Sequence, residues 1–248
     1  MRPKIRPLKA ILVALCSSLN TVAAESVDVT GFYKNFFALT DARNNHKAQG
    51  LTDNDWIVDD VQRIRLKLDW TPAENFDALV HYEVIAHWGE SVAIQRVRQP
   101  SPVSAAPRAG QRIFDLEKTI IEEDRFTLTH QIDRLRLRWQ TDEHDLSVGR
   151  QPVSWGVGLI WSPLDLFAGF SPTEIDRDDK PGVDVIRWTW TPFGDTSFDL
   201  VAEPLHERRH LEVDEDASSL ALRAFSRWGE FDGSLVAGQI AGDGVVGG

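Results

Sequence analysis

The sequence predicts an all-β protein, an antiparallel up-and-down transmembrane β-barrel of about nine strands that follows a signal peptide. Apolar and charged side chains alternate with a period of two over many segments, which is the geometry of strands. Several of these segments end at a Trp followed by a short turn. Connections are short at that end of the strands and long at the other, as in outer-membrane barrels.

A signal peptide is predicted at residues 1–24, and the barrel at 25–248. An apolar run, "AILVALCSSL", follows four basic residues, and small residues at Val22 and Ala24 suit cleavage before Glu25. The run is well short of the ~20 apolar residues that a membrane-spanning helix needs. We therefore expect export, with the cell outer membrane as the destination. The four basic residues are Arg2, Lys4, Arg6 and Lys9.

Cysteine content and charge exclude some classes of protein. The chain's one Cys, Cys16, lies in the predicted signal, so the mature chain has no disulfide. The net charge of −11 becomes −15 once the four basic residues of the signal are removed. Such an acidic chain is not expected to bind nucleic acid.

The segment "RIRLKLDWTPAENF" shows the strand pattern most clearly. Ile64, Leu66 and Leu68 share one face, and positively charged residues share the other. An Arg that faces lipid at the middle of a membrane costs about 2–4 kcal/mol. We therefore expect the charged face to line a water-filled lumen and the apolar face to contact lipid.

Repeats of this pattern predict a row of basic residues along the lumen wall. One interpretation is an electropositive wall that favours anionic or polar solutes. The other is that these residues pair with acids on neighbouring strands, with Arg65 beside His81 and Arg63 beside Glu83 in a simple register. The predicted lumen-facing residues are Arg63, Arg65, Lys67, Arg134, Arg136, Arg138, Arg187, Arg223 and Arg227.

Aromatic residues recur at the strand ends. A girdle at the periplasmic rim is predicted from the Trp that ends each of four segments, and Trp56 and Trp88 are expected near the opposite rim. The residues of the periplasmic girdle are Trp70, Trp139, Trp190 and Trp228.

Long loops are predicted at Thr40–Asp60, Gly89–Arg125, Pro152–Gly182 and Pro204–Ala217. The third is unusually apolar, so we expect it to pack into the barrel interior, with its polar half forming a constriction. A loop that only covers the rim is the alternative, and Ca²⁺ binding by its carboxylates is disfavoured because they lack the spacing of an EF-hand. The constriction residues are Glu174, Asp176, Arg177, Asp178, Asp179 and Lys180.

Arg150 departs from the alternation. Its position has the parity of Leu146 and Val148, which predicts that it faces lipid. Either a bulge at Gly149 turns Arg150 inward, or the strand ends there.

The sequence contains no recognisable catalytic set, so neither an enzyme nor a cofactor or metal site is expected. There is no Cys nucleophile in the mature chain, no G-x-S-x-G and no H-E-x-x-H. His81 and His87 share one strand face, where a solvated pair is commoner than a catalytic one.

The stretches "GRQPVSWGVGLIWSPLDLF" and "EIDRDDKPGVD" resemble segments of Gram-negative outer-membrane porin-like proteins, including the alginate-export type and related uncharacterised barrels. The matching region covers about Gly149 to Val185. The resemblance implies an outer-membrane barrel. Such families usually have more strands and end in an aromatic residue, so we expect this chain to be the N-terminal part of a barrel.

The predicted function is a passive outer-membrane channel for small polar or anionic solutes, in contact with outer-membrane lipid and possible as a homo-oligomer. A periplasmic carbohydrate-binding β-sandwich, with Trp155 and Trp161 as stacking platforms, is one alternative. A barrel enzyme of envelope lipid metabolism is another, and it should show a Ser/His or carboxylate pair on adjacent wall positions.

Overall fold

The computed structural model describes residues 26–43, 50, 52–97, 113–155, 166–167, 182–205 and 218–248. Its strands form one antiparallel sheet of 11 strands. A single helix in this part of the chain, α1 (Glu90–Val97), follows the third strand directly. The strands are β1 (Ser26–Asp41), β2 (Trp56–Ala73), β3 (Phe76–Gly89), β4 (Glu117–Glu123), β5 (Phe126–Gln140), β6 (His144–Gln151), β7 (Val183–Phe193), β8 (Thr196–Glu203), β9 (Ser219–Trp228), β10 (Phe231–Ile240) and β11 (Asp243–Gly247).

The sheet is a meander. Its order is β1-β2-β3-β5-β6-β7-β8-β9-β10-β11, and β4 pairs with β5 beside this path. The prediction of an all-β antiparallel up-and-down sheet is therefore confirmed. The sheet is not closed into a barrel, and β1 and β11 are its two edges. Among the described residues, no helix is both long enough and apolar enough to cross a membrane.

The predicted number of nine strands is wrong, because the structure adds β4 and β11. The expected loop Gly89–Arg125 contains both α1 and β4. The sequence of β4, "EKTIIEE", does not alternate, so its strand form comes from pairing with β5. The terminal "GDGVVGG" holds β11, which follows a tight turn at Ala241 and Gly242 with φ of 51° and 86°. Two residues with positive φ are typical of the turns that join hairpin strands.

The predicted register of the hairpin β2–β3 is wrong by two residues. Arg65 lies opposite Glu83 and Lys67 opposite His81. The reason is that β2 continues past Trp70 to Ala73 before it turns, with a register shift between these two residues.

The two faces of the sheet differ in polarity and in burial. We call the face that carries Ile64 and Leu66 the outer face; these side chains are 49% and 55% exposed. We call the face that carries Arg65 and Glu83 the inner face; these residues are 3% and 2% exposed. A soluble sheet usually hides its apolar face from water and exposes its polar one. In this sheet the pattern is inverted.

Candidate functional site: a charged inner face and an inserted segment

The inner face of β2, β3 and β5 carries a network of paired charges. Arg65 Nη1 lies 3.2 Å from Glu83 Oε1, and Arg65 Nη2 donates to Asp133 Oδ2 at 2.6 Å. Arg134 Nη1 lies 2.9 Å from the same Asp133 oxygen, and Gln131 Nε2 donates to Glu83 Oε2 at 2.6 Å. Arg65 and both carboxylates are buried. These charges therefore depend on one another, because water cannot solvate them.

A β-bulge in β5 brings Asp133 into this network. The register between β3 and β5 shifts at this point, so that Asp133 and Arg134 together separate Ile132 from Leu135. Both residues of the bulge are buried. An extra residue in one strand re-aims a side chain in this way.

Arg136 and Arg138 continue the paired charges toward the short hairpin turns. Arg136 Nη2 donates to Asp77 Oδ2 at 2.6 Å. Arg138 makes a bidentate ion pair with Asp145, with Nε 2.9 Å from Oδ1 and Nη2 2.6 Å from Oδ2. Planar contacts of this kind hold a carboxylate in a fixed orientation.

Asp199 on β8 binds several donors at once. Arg187 Nε donates to its Oδ1 at 2.9 Å, and Arg187 Nη2 donates to its Oδ2 at 2.6 Å. Thr189 Oγ1 lies 3.3 Å from Oδ1, and the indole Nε1 of Trp155 donates to Oδ2 at 2.7 Å. The carboxylate is 4% exposed, so these donors take the place of water.

Lys67 and Arg223 differ from the other predicted lumen residues. Within the described part of the chain, neither makes an ion pair, and each lies over an aromatic ring instead. Lys67 Nζ is 5.8 Å from the ring centroid of Phe32, and Arg223 Cζ is 5.2 Å from that of Phe225. Arg63 is half-buried on the same face, and Arg227 pairs with Asp232. Pairing with acids on neighbouring strands, one of the two interpretations of the basic row, describes at least five of its members: Arg65, Arg136, Arg138, Arg187 and Arg227. Arg134 instead pairs with Asp133 of its own strand.

The described apolar residues of the segment after β6 pack against the inner face, as the composition of the segment predicts. Val153, Trp155 and Phe167 are buried against inner-face residues of β7 to β10. Trp155 is 2% exposed and meets Phe167 edge-on, with ring centroids 5.3 Å apart. The inner-face residues of this core are Val183, Val185, Val201, Ala221 and Val236. The predicted constriction residues, Glu174, Asp176, Arg177, Asp178, Asp179 and Lys180, lie outside the described residues, as does Trp161.

No register shift at Gly149 turns Arg150 inward, and β6 ends one residue after it, at Gln151. Arg150 pairs in regular register with Leu135 and Asp184, and Ser147 hydrogen-bonds to Gln151 along the inner side of β6. The alternation therefore keeps Arg150 on the outer side, where Asp184 and the backbone of Phe114 bury it. Of the two expectations for Arg150, the inward bulge is wrong, because the register is regular at Gly149, whereas the strand does end next to Arg150. The ion pair with Asp184 neutralises the charge in place.

The predicted girdle residues lie toward one end of their strands, near the short hairpin turns. Trp139, Trp190 and Trp228 are among the exposed outer-face residues, and Trp70 is half-buried. Trp56 and Trp88 lie at the opposite ends of β2 and β3. Trp88 stacks on Phe126 with centroids 4.5 Å apart.

A Ser/His/Asp cluster lies where β3 meets α1, with Asp59 on β2, His87 on β3 and Ser91 in the first turn of α1. Ser91 Oγ donates to Asp59 Oδ1 at 2.7 Å, and the Ser91 backbone N–H donates to the same oxygen at 3.1 Å. His87 Nε2 lies 3.1 Å from Ser91 Oγ and 3.3 Å from Asp59 Oδ1. A catalytic triad needs the carboxylate on the other ring nitrogen, leaving Nε2 to accept the serine proton. Here Asp59 instead caps the first turn of α1.

The simple register placed Glu83 beside Arg63 and not beside Arg65, and it left the other acidic partners of the inner face unassigned, although a signal for them was present. Glu83, Asp77 and Asp145 have inner-face parity on strands next to the arginine-bearing ones. Asp184 and Arg150 likewise share the outer parity on neighbouring strands. Pairing charges by parity as well as by register would have identified them.

The described residues contain no group of three or more His, Cys, Asp or Glu side chains that could hold a metal ion. No family model matches this chain, and neither the curated proteins nor the solved structures include a match.

Proposed function

We propose that this chain forms the wall of an outer-membrane β-barrel channel through which small polar or anionic solutes diffuse passively. The inverted polarity of the sheet carries the proposal. Soluble monomers rarely expose a continuous apolar patch larger than a few hundred Å². Here the outer face exposes apolar side chains across the sheet, including Leu66 of β2, Leu137 of β5, Ile186 of β7 and Leu222 of β9. Lipid is the solvent in which such a face is stable.

The height of the apolar band supports a membrane location. On β2 the first polar residues of outer parity are Gln62 and Asp60, eight and ten residues before Trp70. This span is roughly 26–33 Å of strand, or roughly 19–27 Å along the membrane normal at the usual tilt of a barrel strand. Outer-membrane barrels have an apolar band about 25 Å tall. Asn35 and Gln62 both donate hydrogen bonds to Asp60. The polar groups at the end of the band remote from Trp70, which we call its upper boundary, therefore have hydrogen-bond partners.

A membrane-spanning sheet must pair both of its edges, because lipid offers no hydrogen bonds to an open strand. The proposal therefore includes a partner strand for β1 and another for β11. β1 and β11 pair with each other, with further strands of the same barrel, or with strands of a second copy. The resemblance of the stretch from Gly149 to Val185 to porin-like proteins supports a larger barrel of the same kind.

The inner face supports a polar pathway. Its partly exposed ion pairs, Arg136 with Asp77 and Arg138 with Asp145, contact water and polar solutes without a strong bias of charge. The pairs around Arg65 are closed to water. Any preference for anions then depends on the cations that lack a carboxylate partner, Lys67 and Arg223. The segment with Val153 and Trp155 narrows the proposed channel on the side of β7 to β10.

The alternatives have less support. A carbohydrate-binding sandwich needs a second sheet and open aromatic platforms, whereas the described strands make one sheet and Trp155 is buried. A barrel enzyme needs a productive Ser/His pair, whereas Ser91 donates to Asp59.

The test is membrane fractionation followed by gel electrophoresis of boiled and unboiled protein. A barrel is expected in the outer-membrane fraction, with faster migration before boiling, because the folded barrel resists detergent. Recovery as a soluble periplasmic protein whose migration does not change on boiling would rule out the proposal. Conductance of the purified protein in planar bilayers then separates a channel from a closed barrel.

A further inference from the structure

Arg223 lies in an unusual electrostatic environment on the inner face. It belongs to β9, directly between Asp199 of β8 and Val236 of β10. The side chain is half-buried, and its Nε is shielded from solvent without a hydrogen-bond partner in the part of the chain described. A buried donor without an acceptor is costly, so this position favours a ligand that supplies one.

The nearest carboxylate is already occupied. Asp199 lies opposite Arg223 in the register, yet both of its oxygens are bound by Arg187, and Trp155 and Thr189 add further hydrogen bonds. Arg187 and Asp199 neutralise each other. The charge of Arg223 is therefore a local excess of one positive charge on this stretch of wall.

The surroundings of Arg223 are preorganised for an anion. The guanidinium lies over the ring of Phe225, which limits its motion without neutralising it. Ser197 and Ser234 lie opposite Phe225 on the two flanking strands, so the alternation places both hydroxyls on the face of Arg223. Both serines are half-buried. One guanidinium with two nearby hydroxyls matches the donor needs of a carboxylate or phosphate group.

We propose that Arg223 is an anion-binding position on the inner face, with a carboxylate or phosphate group of a small solute as its ligand. The inference rests on the proposed channel for its biological role. It assigns the recognition of anions to Arg223 and not to the arginines that pair with carboxylates.

The test measures binding separately from conduction. The protein, folded in detergent micelles, is titrated with inorganic phosphate and, in parallel, with acetate by calorimetry. We expect at least one of the two anions to bind, and Arg223→Gln to weaken that binding about tenfold or more, through loss of a charge-assisted contact. Arg43→Gln is the control, because Arg43 is exposed and pairs with Asp41 away from the inner face. This control should bind as the wild type does.

A second variant guards against a folding defect. Arg223→Lys keeps the charge but loses the planar pair of donors, so an intermediate loss is expected, with heat-modifiable migration retained. Equal affinities in the wild type and Arg223→Gln, or no binding of either anion by the wild type, would overturn the inference. If Arg223-dependent binding occurs but bilayers show no conductance, the channel proposal fails while the anion site stands.

Discussion

Arg150 and Asp184 form a buried ion pair on the outer side of the sheet, where the alternation alone calls for apolar residues. Arg150 Nε donates to Asp184 Oδ1 at 2.7 Å, and Nη2 lies 3.0 Å from Oδ2. Arg150 also donates to the carbonyl oxygens of Ile132 and Phe114, at 3.3 and 2.6 Å. The pair therefore joins β5, β6 and β7 to the segment before β4. It lies at the ends of β6 and β7 remote from the short turns, near the upper boundary of the apolar band.

Removal of one partner of this pair should destabilise the protein strongly. We expect Asp184→Asn to lower the free energy of unfolding by about 3–5 kcal/mol, because it leaves a buried guanidinium without its counter-charge. Urea unfolding in detergent measures the loss. Replacing both residues, as in R150M/D184L, should recover much of it. The exposed pair of Arg43 and Asp41 supplies the control, since Arg43→Gln should leave the unfolding midpoint unchanged. Equal midpoints for Asp184→Asn and Arg43→Gln would contradict the assigned role.

Cysteine labelling should distinguish the two faces. Residues 25–248 contain no Cys, so an introduced Cys is the only reactive thiol in that part of the chain. Leu66→Cys and Leu137→Cys should react with probes dissolved in lipid, because these positions are exposed on the outer face. Lys67→Cys, next to Leu66 in the chain, should react with a water-soluble reagent instead. Mass spectrometry of the protein labelled in liposomes measures the extent of reaction with each reagent. A reversed pattern would mean that the faces are assigned wrongly.

Deletion of a whole ion pair should leave ion selectivity almost unchanged. R138Q/D145N removes both charges of the pair between Arg138 and Asp145. Arg138→Gln alone should shift the reversal potential toward cations, because Asp145 remains. The difference should be largest at low salt, where screening is weak. A shift in the double variant as large as that in the single variant would show that Arg138 acts on the permeating ion as an unpaired charge.

Gly149 should tolerate no side chain. Its φ is +120°, and an added Cβ would lie 2.0 Å from the carbonyl oxygen of Leu135 on β5. We expect Gly149→Ala to lower the yield of folded, heat-modifiable protein and to destabilise what folds, because the backbone of β6 must move. Gly194→Ala is the matched control, since nothing lies within 4 Å of its added Cβ. If the two variants fold equally well, close approach to β5 is not what requires the glycine.

Trp155 should anchor the inserted segment. Trp155→Phe keeps an aromatic ring but loses the hydrogen bond to Asp199, which should cost about 1.5–3 kcal/mol for a buried contact with a charged acceptor. Urea unfolding and limited proteolysis of the segment after β6 report the change. Trp139→Phe, on the exposed outer face, makes the same substitution without such a bond. Similar losses in the two variants would mean that the hydrogen bond adds nothing to the anchoring.

The sequence by itself determined the all-β class, the order of the main strands and the two faces of the sheet. It did so because the period of two fixes which side chains share a face, as for Ile64 and Leu66 against Arg65. It also indicated that the segment around Trp155 is too apolar to be a free loop. Each of these features is local, and each can be read from neighbouring residues.

Only the tertiary structure decided which charges meet. The partners of Arg65 come from two other strands. The apolar parity changes between Ile132 and Leu135, but that change does not tell which residue the bulge brings to Arg65. The strands β4 and β11 form because a neighbouring strand edge supplies their hydrogen bonds, which no local pattern encodes. Arg223 stands out for the same reason, because its lack of a counter-charge follows from Asp199 being bound by Arg187 and Trp155. Pair formation depends on register and on competition among partners, and both are properties of the assembled sheet.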